Sequence, residues 1–534
     1  MMGMLKIFIA LMLVLFLVGC MDTIDEVGMV PPSAPAPSPL YEPEPEQVFS
    51  GPSHGGALRL SMRAPLTLNP LLNEDATVAR VLQLMFEPLV ILNEELVPTP
   101  HLATLEFAFN GANVVITIRE DAYWSNGSPI TAHDLVFSID TLRRAPENAI
   151  YSRNVENIAY HEILSERSAR ITFETINGGA AYLFNFPIIP RYDFDDMAPI
   201  SSGPYMFETY DAMELLTLVR NPYTFRTSPY IEEVHVMITS DSETDRHAFD
   251  RGLVDIYLVD VPEWSRHRSV KPVRFAEHLT MHYEFIGFNF SREMPRMAYF
   301  RQAIAHGLNV EELIADIFLA HAVAARSPVH PASWLYDWEI PIYAYDMMRA
   351  RLLADRVIEL ASEDDLWPVN EDGEKLPMQV LVNEENVEGG RIAGILVAQM
   401  NYIGLLAELV ALPFEDYQWR LQEGHFDLFV GGYNLMFQPD LRFAFHSESD
   451  ANILRYSDPE LDWMLETAAV AGMDSQFYRG MSEIQSHIAR ELPVISLAFR
   501  HSAVVVGQRV QGDLSPGPDN IFINVHEWFI SDLP

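Results

Sequence analysis

One cysteine in 534 residues, at position 20, removes most of the devices that hold irregular chains together. Internal disulfides and a cysteine-rich zinc site are excluded, and the place of Cys20 near the amino terminus argues against a catalytic thiol. Stability must therefore come from apolar cores, and the length suffices for about two to four domains at ~150 residues each. Apolar residues make up 49% of the chain and charged ones 21%, the balance of an ordinary folded protein. Net charge is −40, and the three lysines, Lys6, Lys271 and Lys375, leave arginine to supply nearly all positive charge. This balance opposes nucleic-acid binding, which needs Lys and Arg to displace phosphate counterions. It equally opposes docking on anionic lipid through protein charge.

The lone cysteine sits in a particular setting. Residues 1–6 carry Lys6, and 7–18 (IFIALMLVLFLV) are apolar without interruption. A membrane-spanning helix needs about 20 such residues, so 1–19 reads as a secretory signal. It closes on Leu17-Val18-Gly19-Cys20, which resembles the bacterial lipobox; the resemblance implies cleavage before Cys20 and lipidation of that residue. Residues 31–45 then hold seven prolines among Ser, Ala and Glu. Such a stretch stays extended and semi-rigid, so 20–56 is expected to be a linker between lipid and domain. No later apolar run reaches membrane length, which predicts a globular body outside the cytoplasmic membrane from about Ala57 on.

Within that body the hydrophobic period alternates between 2 and 3.6. Residues 114–119 (VVITIR) are β-branched and alternating, a strand. Asn126-Gly127 supplies a tight turn. Thr131, with Asp134 three residues on, opens a helix as a capping box, and Leu135, Ile139 and Leu142 give that helix an apolar face. Further helices are predicted at 76–86, 299–317, 347–360, 391–403, 459–471 and 477–491. Strands are predicted at 58–62, 215–219, 233–238, 283–288, 378–382, 406–412, 428–432 and 496–499. There is no internal repeat and no heptad pattern. The alternation predicts a mixed α/β protein.

Signatures of catalysis are missing. No His-Glu-x-x-His helix or phosphate-binding loop occurs, and the Gly-x-Ser-x-Gly at residues 51–55 ends the Pro-rich linker with no predicted strand before it, so it makes no nucleophile elbow. His161-Glu162 and His526-Glu527 each lack a second histidine four residues after the first. Glu94-Glu95, Asp195-Asp196 and Glu384-Glu385 are what 75 acids produce on solvated faces. Among seventeen histidines, His278 and His282 stand beside a predicted strand, and no cluster has ligand spacing. No catalytic residue, metal site or cofactor is expected, which weighs against an exported hydrolase; an adhesive surface lipoprotein would suit the anchor alone.

Many short segments fall in a recognisable order: Leu68-Asn69-Pro70, Phe86-Glu87-Pro88-Leu89, Pro100-His101-Leu102-Ala103, Tyr123-Trp124-Ser125-Asn126-Gly127 and Asp134-Leu135-Val136-Phe137-Ser138. Ser202-Gly203-Pro204-Tyr205, Arg220-Asn221-Pro222, Gly252-Leu253-Val254-Asp255-Ile256, Arg301-Gln302-Ala303-Ile304 and Gly424-His425-Phe426-Asp427-Leu428 continue the series. Together they resemble the extracellular solute-binding proteins of family 5, the oligopeptide, dipeptide and nickel receptors of ABC importers. The resemblance implies a two-lobed periplasmic-binding-protein-like α/β fold of class II, with an extra subdomain in lobe one and a hinged ligand cleft. Carried over, lobe one takes 57–285 and a C-terminal return at 500–534, and lobe two takes 286–499.

In peptide-binding members the ligand lies as a strand between two short backbone segments. By resemblance these are Glu74, Asp75 and Ala76, which could instead cap the helix that follows, and the stretch holding Gly432, Tyr433, Asn434, Leu435 and Met436. Tyr433 falls where the family often has Trp, as an aromatic wall. Met436 falls where peptide receptors commonly carry an Asp that pairs with the ligand amino terminus. Burying an ammonium with no carboxylate costs several kcal/mol, so either Asp440 or Glu74 substitutes, or the ligand lacks a free amino terminus. The implied function is capture of an oligopeptide-like solute by a lipid-anchored monomer, with nickel or haem as the alternative cargo. The implied partners are permease subunits with cytoplasmic ATPases.

Overall fold

The computed structural model describes residues 51–108, 111–212, 214–259, 273–472, 475–517 and 519–531. The signal 1–19, Cys20 and the linker up to residue 50 lie outside the described residues. Leu58, Leu60 and Met62 turn inward from strand Ala57–Met62, as its alternation requires. That strand runs parallel to Glu233–Ile238, with Leu60 opposite Val236, and Leu215–Arg220 and Tyr205–Asp211 extend the sheet antiparallel. A second sheet, wholly antiparallel, has the order Ala103–Phe107, Asn113–Ile118, Ser168–Phe173, Ile158–Ile163. Helix Ala132–Leu142 packs on it through Leu135, Ile139 and Leu142, spaced at three and four residues.

A seven-stranded sheet makes the other half. Its order is Ile256–Val259, Val494–Gly507, Val273–Phe288, Leu428–Asn434, Met378–Asn383 and Ala407–Leu412, with Ala322–Ala324 paired to Val494–Gly507. The buried apolar residues divide accordingly. One core draws on residues from Leu58 to Ile256 and then on Val504, Val506, Val510, Phe522, Val525 and Trp528. Two more lie between Tyr283 and Phe499. The fold is thus the two-lobed α/β architecture that the resemblance implied.

Strands Val273–Phe288 and Val494–Gly507 contribute to cores of both halves. The first half of Val273–Phe288 pairs with 501–507, while its second half pairs with both 494–499 and Leu428–Asn434. Between the two halves the register slips, from Leu279 opposite His501 to Tyr283 opposite Phe499. Thr280 fills the bulge by donating from Oγ1 to the Arg500 carbonyl at 2.8 Å.

The largest differences from the expected elements are in two places. The predicted strands 283–288 and 496–499 are short by ten and ten residues, because Glu277, His278 and His282 in the first and Arg500, His501 and Ser502 in the second interrupt the apolar pattern and only tertiary pairing extends them. The predicted helix 299–317 is two, Ala298–Gly307 and Val310–Ile317. Leu308 is extended between them, and the Asn309 side chain accepts from Glu312 N at 3.3 Å to cap the second.

Candidate ligand-binding site

A cavity of about 360 Å³ opens between the halves. Helix Ala76–Leu82 presents Ala79 and Leu82 to it, with Gln83 and Phe86 just beyond. Tyr151, Asn154, Tyr182 and Asn185 come from the segments around the second sheet. Leu435, Met436, Phe437 and Gln438 follow directly on strand Leu428–Asn434, and Asp519, Asn520 and Ile523 come from the chain after the second crossing strand. Direct contacts brace the cavity. Gly178 N donates to the Ala469 carbonyl at 2.7 Å, and a Cβ at 178 would stand 1.9 Å from the Ala471 oxygen, so the backbones meet only because residue 178 is glycine. Gln438 Nε2 donates to Asn177 Oδ1 at 3.0 Å, and Trp334 Nε1 to the Tyr182 hydroxyl at 3.2 Å.

The lining is apolar with a few polar groups, the usual make-up of a small-molecule site. Among the described residues Asp519 is the one lining residue with a formal charge. Burial pushes its carboxyl up to about 6, although its own N–H and that of Asn520 partly offset this. Burial, with the Asp519 charge second, likewise pushes the Tyr151 hydroxyl up to about 12. Gln83 Nε2 donates to the Asp519 carbonyl at 2.6 Å, and Gln83 Oε1 is buried without a partner. This corner has acceptors to spare and few donors.

The residues singled out from the sequence are scattered around this cavity. Met436 lines it and is 52% exposed. Asp75 caps helix Ala76–Leu82, accepting from Thr77 N at 2.7 Å and Val78 N at 3.1 Å. Burial alone would raise its carboxyl, and the hydrogen bonds from Thr77 and Val78 outweigh that and hold it low. Glu74 and Ala76 are exposed beside the cap, off the cavity wall. Tyr433 is packed between Phe285 and Phe443, ring centroids 4.8 and 5.2 Å away, and burial pushes its hydroxyl up to about 12. Gly432 faces Glu284 across the sheet, and a Cβ there would stand 2.9 Å from His282 Nε2 and the Tyr283 oxygen. Asn434 Oδ1 meets His282 Nδ1 at 3.0 Å. Asp440 is held by Arg442, whose Nε donates to Oδ1 at 2.9 Å. Asp519 and Gln83 were not foreseen; a lone acid in a Pro- and Gly-rich stretch near the carboxyl terminus has no periodicity to flag it.

Beside the bulge, Glu284 is fully buried and ion-paired with Arg500, with His282 Nε2 at 2.8 Å from the same oxygen. Burial pushes His278 and His330 down to about 4, and His501 is lowered for the same reason. Among the described residues no three His, Cys, Asp or Glu side chains come together as a metal set, and no helix is long and apolar enough to cross a membrane.

The family model described as bacterial extracellular solute-binding proteins, family 5 Middle, matches residues 97–453. Oligopeptide-binding protein AppA of Bacillus subtilis is 21% identical over 505 residues, 90% of this chain and 92% of that protein. The solved ABC transporter substrate binding protein CtaP of Listeria monocytogenes overlays at a TM-score of 0.77 with 19% identity, covering 90% of this chain and all of that one. NikZ of Campylobacter jejuni in complex with Ni(L-His) overlays at 0.67 with 20% identity, covering 90% and 100%. At such identities the overlays speak for the fold, whereas the matched segment runs from the second sheet through the crossing strand Val273–Phe288 and past the strand beside the cavity, Leu428–Asn434. The chain therefore belongs to family 5 of the bacterial extracellular solute-binding proteins.

Proposed function

We propose that this protein captures a short oligopeptide or peptide-like solute between its lobes and delivers it to the permease of an ABC importer powered by cytoplasmic ATPases. In this reading 57–285 with 500–534 forms one lobe and 286–499 the other. The crossing strands act as the hinge, the chain works as a monomer, and it performs no chemistry on its cargo. Lipid on Cys20 and the linker 20–56 tether it at the outer face of the cytoplasmic membrane.

The observation that carries the reading is the cavity whose wall comes from both halves, with amides at Gln83, Asn154, Asn185, Gln438 and Asn520 set among apolar side chains. Amides that both donate and accept suit a peptide backbone, and the surrounding apolar area adds affinity without demanding a sequence. A volume of about 360 Å³ lies near the small end of the ~300–1,000 Å³ range of such sites, which favours a short solute.

Native mass spectrometry of the protein purified without denaturation, followed by release of the bound species, tests this. The expected result is a bound mass that fragments as a peptide of a few residues. A released haem or nickel complex would replace the peptide reading.

A further inference from the structure

We propose that Asp519 is the ammonium anchor of this cavity, so that the solute is an amine and its cationic nitrogen lies in the corner formed by Asp519 and Gln83. The inference rests on the reading of the cavity as the solute site, and it names the chemistry of the solute. It also moves the cation-pairing role from the loop after strand Leu428–Asn434 to the opposite lobe. Asp440, on that loop, is already occupied by Arg442, and Glu74 is off the wall.

Three observations converge on Asp519. Among the described residues it is the one formally charged residue on the wall, and no Lys, Arg or His forms an ion pair with it. A part-buried carboxylate without a counter-ion is unfavourable in the empty site, and a cation relieves it. Its neighbour Gln83 leaves Oε1 buried without a donor. An ammonium brings three N–H donors to a corner short of them.

Among the described residues the wall carries no Arg or Lys to meet a ligand carboxylate, so a net cationic or terminally blocked solute is better matched than a free acid. The chain's net charge of −40 adds a field that gathers cations at such an opening. A backbone amino terminus and a basic side chain offer the same ammonium, and the probes below separate them.

The test is titration calorimetry at pH 7.5 on the full chain and on Asp519→Asn. The probes are trialanine, N-acetyl-trialanine, N-acetyl-lysine methylamide, and the small pair hexylamine and hexanol. The wild type is expected to prefer hexylamine over hexanol, and at least one free-amine peptide over its blocked form, by roughly tenfold or more. Asp519→Asn should erase both preferences while binding hexanol as before, and should melt no lower than the wild type. Tight binding of N-acetyl-lysine methylamide with indifference to the peptide terminus would assign the site to a side-chain amine. If no peptide binds but the hexylamine preference and its loss hold, the anchor stands and the peptide reading falls. Equal binding of hexylamine and hexanol, no binding of either, or a preference that survives in Asp519→Asn overturns the anchor.

Discussion

Asp519 titrates near 6 in the folded chain, against 3.8 for an unburied aspartate. Between those values the folded state holds more protons than the unfolded one. Its contribution is therefore fully present below pH 3.8 and is lost as pH rises through 6. The loss is about 2 kcal/mol, allowing for the part of the group that meets the cavity. Asp519→Asn should accordingly melt higher than the wild type at pH 7.5 and level with it by pH 4, in thermal scans without solute. An offset of the same size at both pH values would locate the effect in packing instead. Asp75 makes the contrast: another part-buried acid beside the same helix, but with three hydrogen bonds that hold its charge. The two aspartates differ in what surrounds them, and nothing in their immediate sequence says which is the spare one.

At the scale of elements, the strand–turn–helix of 113–142 was the most legible part of the chain, because every determinant lies within thirty residues of the rest. Asp134 reaches back as the spacing predicts, accepting from Thr131 N and Thr131 Oγ1, both at 2.8 Å. Its other oxygen takes Arg191 N at 2.9 Å, a tertiary bond that no local pattern announces. Thr131→Ala should therefore cost about 1 kcal/mol, and Asp134→Ala about 3 kcal/mol, since it strands two backbone donors. Chemical denaturation measures both, and equal losses would show that the Arg191 bond contributes nothing. The site was less legible for the same reason in reverse. Met436 is a candidate only through the family resemblance, three residues after Tyr433. Asp519 reaches the cavity only because Val494–Gly507 carries the chain across to the other lobe, and spacing cannot encode that return. Asp440 could have been discounted from sequence, with Arg442 only two residues away.

Over the whole molecule, the crossing strands concentrate ionisable groups where the two halves meet. His278 faces His501 and Arg80, while His501 faces His321 and Glu277. His278 and His330 titrate near 4 when folded and at 6.5 when free, so the folded state refuses protons that the unfolded chain accepts. The stability they leave intact above pH 6.5 is lost as pH falls towards 4, at most about 3 kcal/mol for each. Melting temperature should drop steeply across that window, and His278→Gln should flatten the drop without lowering stability at pH 7.5. An unchanged slope would place the acid sensitivity elsewhere. The closing of the first core by Val504, Val506, Phe522 and Trp528 has a consequence for biosynthesis. A chain released in order from its amino end completes the cores between Tyr283 and Phe499 while the earlier-made half still waits for its last strands. Because Asp519, Asn520 and Ile523 arrive with that final stretch, the cavity lacks part of its wall until almost the whole length of the nascent chain has emerged.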